Sequence, residues 1–404
     1  MSFEAVFGAF RKTREHLEKQ QRKSPYRFVT TRLERAHDLS QAWLDIYELY
    51  GRGYQSELTT FSKPFIVRTL SIFGTSLEKR FGNIFQAKIP PEVYVLLSCL
   101  FGELGYDTDY YVVAEGDCFE QKSIYGEIYN QSLKNLSPPR KIAPENYTKL
   151  LNSIQDRDTA TLYYERSQYD NALSWPLLLH ECLHWLYSNE KLNAIELKIA
   201  DSPNWIKEVL IDIYVSNFFG PVYATSLVSY LSRYPHEETF SHPHFIVRLY
   251  TCYRYLVDLS TSKLQPQLQN EVSEAVKYVQ DFQGQYQDEL DEVKPTVDQI
   301  YNQTRLPIIK QISQKTKTFE AFVEALEADK HAAKYLSPTE HTRKEVLLTS
   351  DVQQYYDLGI PVAAHPRVLF NSFIARKYLQ EGVSMLFIQE SLKRYCVKQK
   401  WLTI

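Results

Sequence analysis

The sequence predicts an α+β fold that is predominantly helical, with a small sheet in its core and helical regions on both sides. Three observations carry this expectation. Apolar residues recur three and four apart through polar stretches, as at Val279, Phe282, Tyr286, Leu290, Val293, Val297 and Ile300, the spacing of a single helix face. Two short runs, DYYVVAE from Asp109 to Glu115 and TATLYYE from Thr159 to Glu165, have the β-branched and aromatic content of strands. Pro and Gly punctuate the chain at Pro90-Pro91, Gly105, Ser202-Pro203 and Gly220-Pro221, where helices start or stop.

Taken in order, residues 1–85 read as an N-terminal helical region. Charged helix formers run to Lys23, and apolar positions follow at Leu33, Leu39, Trp43, Ile46 and Leu49. A core domain is expected over residues 86–260. It opens with a buried helix from Val93 to Leu104 that ends near Gly105, and a loop is expected around Ser137 to Asn146. Ser174 is a candidate N-cap for a helix reaching Tyr187, with Pro176 in its first turn, where a missing N–H costs little. The next helix starts at Ser202-Pro203 and runs to Phe219, where Gly220-Pro221 stops it. Residues 261–404 form a C-terminal helical region, polar and Gln-rich at first, in which Pro295 is expected to kink the helix and Pro361 to Trp401 adds one or two more.

Composition narrows the function classes. A chain of 404 residues exceeds one typical core, and 44% hydrophobic with 24% charged residues is a globular composition. A net charge of -3 argues against nucleic acid as the main partner. The longest apolar stretch, Val93 to Gly102, falls short of the roughly 20 residues of a membrane span. The N-terminus becomes charged within ten residues and lacks an apolar signal core. A cytoplasmic protein without a membrane span is the expectation. Five widely separated cysteines form no Cys-x-x-Cys pair, so they read as reduced thiols rather than a thiolate metal site. The 14% aromatic content fits helix packing better than a substrate groove.

Chemistry concentrates in HECLH, His180 to His184. Two histidines four apart share a helix face and can present ring nitrogens to one Zn²⁺ at about 2.0–2.1 Å. Glu181, beside the first histidine, is placed to act as general base on a metal-bound water. Catalytic zinc needs a third protein ligand and an open position. The extension HExxHxxGxxH is absent, because Tyr187 stands at the Gly position and Glu190 at the third His. Glu196 competes with Glu208 for the third place. Glu208 is the better candidate, because it shares a helix face with Asp212, which can accept a hydrogen bond from a ligand histidine. The apolar neighbours Val209, Leu210, Ile211, Ile213 and Val215 argue against a solvated face.

HExxH followed on a second helix by ExxxD resembles the gluzincin zinc metallopeptidases over roughly residues 159 to 250. The resemblance implies a zincin-like core with His180, His184 and Glu208 as ligands, Glu181 as base and Asp212 supporting a ligand. SHPHFIVRL, Ser241 to Leu249, is similar to the element that follows the glutamate ligand in the prenyl-protein and heat-shock membrane protease family, here without membrane helices. It implies that His242 or Arg248 sits near the metal, donating to the oxyanion or stabilising the site. In zincins an edge strand ahead of the active-site helix binds extended substrate, and TATLYYE is placed for that role unless it is fully paired within its sheet.

The expected function is hydrolysis of a peptide bond by Glu-assisted attack of zinc-bound water. The substrate is expected to be a restricted or regulated protein or peptide, with the helical regions also offering surfaces to a regulatory protein partner. Two other readings stand beside it: an interaction protein with a structural or inactive zinc site, and a zinc hydrolase of a non-peptide amide or ester.

Overall fold

A computed structural model describes residues 91–105, 110–113, 120–123, 160–163, 174–188, 204–235, 242–262 and 266–327, with Lys12, Glu15, Glu145, Thr148, Thr239, Leu264 and Arg367 as isolated positions. The helices expected over 1–85 and 361–401, and the loop around 137–146, lie outside these ranges apart from those positions. The described part is predominantly helical. By contact, the chain divides into one unit of residues 1–94, 108–169 and 400–404 and another of residues 95–107 and 170–399.

Among the described residues of the first unit are three four-residue strands: β1 (Tyr110–Val113), β2 (Glu120–Ser123) and β3 (Ala160–Tyr163). Their order is β1-β3-β2, with β3 parallel to β1 and antiparallel to β2. Of the two readings of TATLYYE, an edge strand open to substrate or a strand fully paired in its sheet, the pairing matches the second. Over Ala160–Tyr163 both sides of the strand are used by neighbours, so no free backbone edge is left there for a substrate. The partner on the second side, Glu-Gln-Lys-Ser, has none of the β-branched or aromatic residues that mark a strand in sequence.

Helix α1 (Pro91–Glu103) buries Val93, Leu96, Leu97, Leu100 and Phe101. It ends where expected, with Gly105 at φ 75° accepting the left-handed turn. The second unit continues through α2 (Leu177–Ser188), α3 (Ile206–Phe219), α4 (Pro221–Leu231) and α5 (Phe245–Ser260). Next come α6 (Pro266–Gln283), a 3₁₀ turn at Gly284–Tyr286, α7 (Gln287–Lys315) and α8 (Phe319–Glu327). The helical seam read over Val279 to Ile300 is therefore interrupted at Gly284, a poor helix former, while α7 runs on through Pro295 and Pro307. Helix α5 packs against α6 and α7, so the packing is continuous across residue 260.

The core is built around α3. Every residue from Glu208 to Phe219 is buried, as expected of a helix apolar on all sides and surrounded by others. It touches α2, α4, α5, α7 and α8. Where it leaves the core, Gly220 takes φ 105° and ψ -171°, a backbone region essentially reserved for glycine. Pro221 then starts α4 at a position that needs no N–H. Arg367 closes the far end of α3. Its guanidinium donates to the Phe218 carbonyl, to the Lys317 carbonyl at 2.8 Å and to Glu103 at 2.9 Å. It also lies 4.4 Å and 4.3 Å from the Phe218 and Phe322 ring centroids. Full burial of an arginine is tolerable only with this kind of partnership.

A side chain at position 220 would force the α3–α4 joint out of its backbone conformation. Gly220→Ala is expected to lower unfolding stability by about 1–3 kcal/mol, measured by chemical denaturation. The opposite result, wild-type stability, would show that the joint relaxes freely.

Candidate metal centre

Helix α2 carries the HECLH segment and buries Leu177, Leu178, Leu179, Cys182, Leu183 and Leu186. That burial turns the two histidines toward α3. His180 is 3% exposed, His184 is half-buried, and their Nε2 atoms lie 2.9 Å apart. Glu208, in the first turn of α3, meets both of them. One carboxylate oxygen is 3.0 Å from His180 Nε2 and the other 3.1 Å from His184 Nε2. Around an ion bound at about 2.05 Å, tetrahedral ligand atoms sit roughly 3.3 Å apart. The three donors converge to within a few tenths of an ångström of that figure.

His180, Glu181 and His184 each offer a ligand atom within 4.8 Å of the others and could hold a metal ion. Two carboxylates thus adjoin the histidine pair. Distance separates them, because only Glu208 makes close contact with both Nε2 atoms, whereas Glu181 is half-buried beside them. Glu196 lies outside the described residues. Lys207 stands next to Glu208, its ammonium 5.2 Å from the Tyr187 ring centroid. Burial lowers its pKa, against the opposing pull of Glu208 and Glu181.

Behind His180 sits a polar layer drawn from three helices. Asp212, one turn along α3 from Glu208, is 0% exposed. Its Oδ1 lies 2.9 Å from His180 Nδ1. Arg248, from the first turn of α5, donates through Nε to Oδ2 and through Nη2 to Oδ1, both at 2.7 Å. Tyr223, from α4, donates its hydroxyl to Oδ1. A buried carboxylate needs such donors, and here two oxygens face four. The solvated-face alternative for Glu208 and Asp212 is excluded by their burial.

No protein-family model, curated protein or solved structure matches this chain. The chemistry of the site therefore rests on its own residues.

Electrostatically the cluster favours a cation. Burial opposes ionisation of Asp212, but the Arg248 charge and hydrogen bonds outweigh it and hold the carboxyl at about 2. Glu208 is likewise held well below the usual carboxylate range, burial being overcome by its two histidine contacts. Burial pushes His180 down, as does Arg248, yet the Asp212 and Glu208 contacts carry it up to about 9. Two carboxylates facing a single buried guanidinium leave one negative charge uncompensated unless a proton or a metal ion is present. With Asp212 holding the Nδ1 hydrogen, His180 Nε2 meets the Glu208 oxygen through a second ring proton or, once that proton has left, across a cation. A divalent ion binding there takes the place of that proton, so metal uptake releases it.

The sequence assigns His180, Glu181, His184, Glu208, Asp212, His242 and Arg248 to this site; the structure brings the first five and Arg248 together. Arg248 holds Asp212 through Nε and Nη2, and Nη2 also lies 3.2 Å from His180 Nδ1 and 3.4 Å from its Nε2. His242 is exposed, and its backbone closes a turn with Thr239. Two residues on, His244 caps α5, its ring accepting from the Ile246 N–H at 3.4 Å. Tyr223 was not foreseen. Its only local signal is a position just past the Gly220-Pro221 break, and nothing in the spacing of α4 marks Tyr223 over its other tyrosine, Tyr230.

Removing the guanidinium strands a fully buried carboxylate. Arg248→Leu is expected to cost about 3–5 kcal/mol of unfolding stability. Arg254 pairs with Asp298 at 2.7 Å in a partly exposed setting, and Arg254→Leu is expected to cost about 1 kcal/mol or less. Parallel denaturant titrations of the two variants measure the contrast, and equal losses would contradict the buried-pair assignment.

Proposed function

We propose that this chain is a zinc-dependent metallopeptidase of gluzincin type, acting on a restricted or regulated protein substrate. The observation that supports this best is the convergence of His180 Nε2, His184 Nε2 and the Glu208 carboxylate within 3.1 Å, with Glu181 adjacent. Two imidazoles and one carboxylate are a catalytic donor set for zinc, leaving a fourth position open. Bound there, zinc would supply Lewis-acid polarisation of a carbonyl and lower the pKa of water toward neutrality.

The protein's own residues divide the remaining work. His180, His184 and Glu208 bind the ion. Glu181 takes the proton of the attacking water and returns it to the leaving amine, a role that suits a carboxylate next to the ligands and only half-buried. Asp212 and Arg248 keep His180 in place from behind. Leu177, Leu178 and Leu179 hold α2 against the core, so the ligand spacing is set by a rigid element.

The base and the ligands are separable by mutation. Glu181→Gln is expected to retain one zinc per chain, by elemental analysis, while peptide hydrolysis falls by about 100-fold or more. Undiminished turnover would remove Glu181 from the mechanism. Glu208→Ala is expected to lower zinc occupancy, and Glu196→Ala to leave it unchanged; the reverse pattern would transfer the third-ligand role. Rapid cleavage of unfolded casein by the purified protein would overturn the restricted-substrate part.

A further inference from the structure

We infer that Tyr223 is a positioning residue of the metal site, its buried hydroxyl fixing His180 in the tautomer that turns a bare Nε2 toward His184 and Glu208. This rests on the metal-site reading above and goes beyond it, because the ligand spacing says nothing about what selects the ring's hydrogen.

Three polar groups surround His180 Nδ1. Asp212 Oδ1 is at 2.9 Å, the Tyr223 hydroxyl at 3.1 Å and Arg248 Nη2 at 3.2 Å. Asp212 can only accept and Arg248 can only donate, so this pair alone makes opposite demands on Nδ1. Tyrosine can do either. Its single hydrogen goes to Asp212 Oδ1, which leaves an oxygen lone pair to accept from Nδ1. Two acceptors then face Nδ1 against one donor. Arg248 Nη2 has the nearer acceptor Asp212 Oδ1 at 2.7 Å, so it loses nothing by leaving Nδ1 its hydrogen. Nδ1–H on His180 satisfies all three groups together, and it leaves Nε2 as the metal-binding nitrogen, with Arg248 Nη2 3.4 Å away beside it.

The fold is arranged to deliver this hydroxyl. Gly220 turns the chain between α3 and α4 in a conformation closed to other residues. That turn brings Tyr223 back alongside Asp212 with its side chain fully buried.

Tyr223→Phe keeps the ring and deletes only the hydroxyl. Zinc affinity is measured by chelator competition on the full chain, and the d–d spectrum is recorded after cobalt substitution. The variant is expected to bind zinc about tenfold more weakly, with an altered cobalt spectrum. Tyr230→Phe on the same helix is the control and should match wild type in both. In zinc-loaded wild-type protein, ¹⁵N-histidine NMR should show the His180 hydrogen on Nδ1. Wild-type affinity together with a wild-type cobalt spectrum in Tyr223→Phe would overturn the assignment of Tyr223 alone. So would a hydrogen on His180 Nε2 with the metal on Nδ1. Wild-type protein that takes up no zinc would overturn the metal-site reading and this inference with it.

Discussion

A carboxylate with no access to water, Asp212, is the constraint on which the rest of this structure depends. An ionised carboxyl in such a place survives only if its oxygens are filled by donors, and Arg248, Tyr223 and His180 supply them from α5, α4 and α2. Each donor belongs to a different helix, so satisfying Asp212 also fixes how those helices meet α3. The same contacts orient His180. Structural integrity and ligand geometry are therefore two consequences of one buried charge.

The surroundings of α3 explain how that charge is kept. A helix buried from Glu208 to Phe219 has no face on which a carboxylate could escape to solvent. Its N-terminal turn holds Glu208, its middle holds Asp212, and its last turn is capped by the Arg367 clamp. Buried polar groups of this kind add little net stability over apolar substitutes, but each admits only one arrangement of partners. The core is consequently specific at both ends of its central helix.

Much of the helical layout was legible because it depends on local chemistry. Gly105 and Gly220 act through backbone conformation alone, and the helices end at them as read, whereas the helix that begins at Pro221 was not read from the sequence. Strand pairing was less legible, since β2 is a polar tetrapeptide that owes its conformation to its neighbour β3. For the same reason the sequence could not say whether TATLYYE stood at an edge or between two strands. The helical seam breaks at Gly284, while Pro295 is carried within α7, which is packed against α3 and α5.

By itself the sequence determined which side chains share a helix face: His180 with His184, and Glu208 with Asp212, because a four-residue spacing places them so in any α-helix. It also put the candidate ligands on His and Glu rather than Cys, in line with the cluster found among the described residues. Only the tertiary structure decided that the two faces meet with Glu208 touching both Nε2 atoms. It alone selected Arg248 and Tyr223 as the partners of Asp212, leaving His242 exposed at the surface. These are contacts between residues eleven to sixty-eight positions apart, and no periodicity encodes them. They follow from the need of one buried carboxylate for hydrogen-bond donors, wherever in the chain those donors lie.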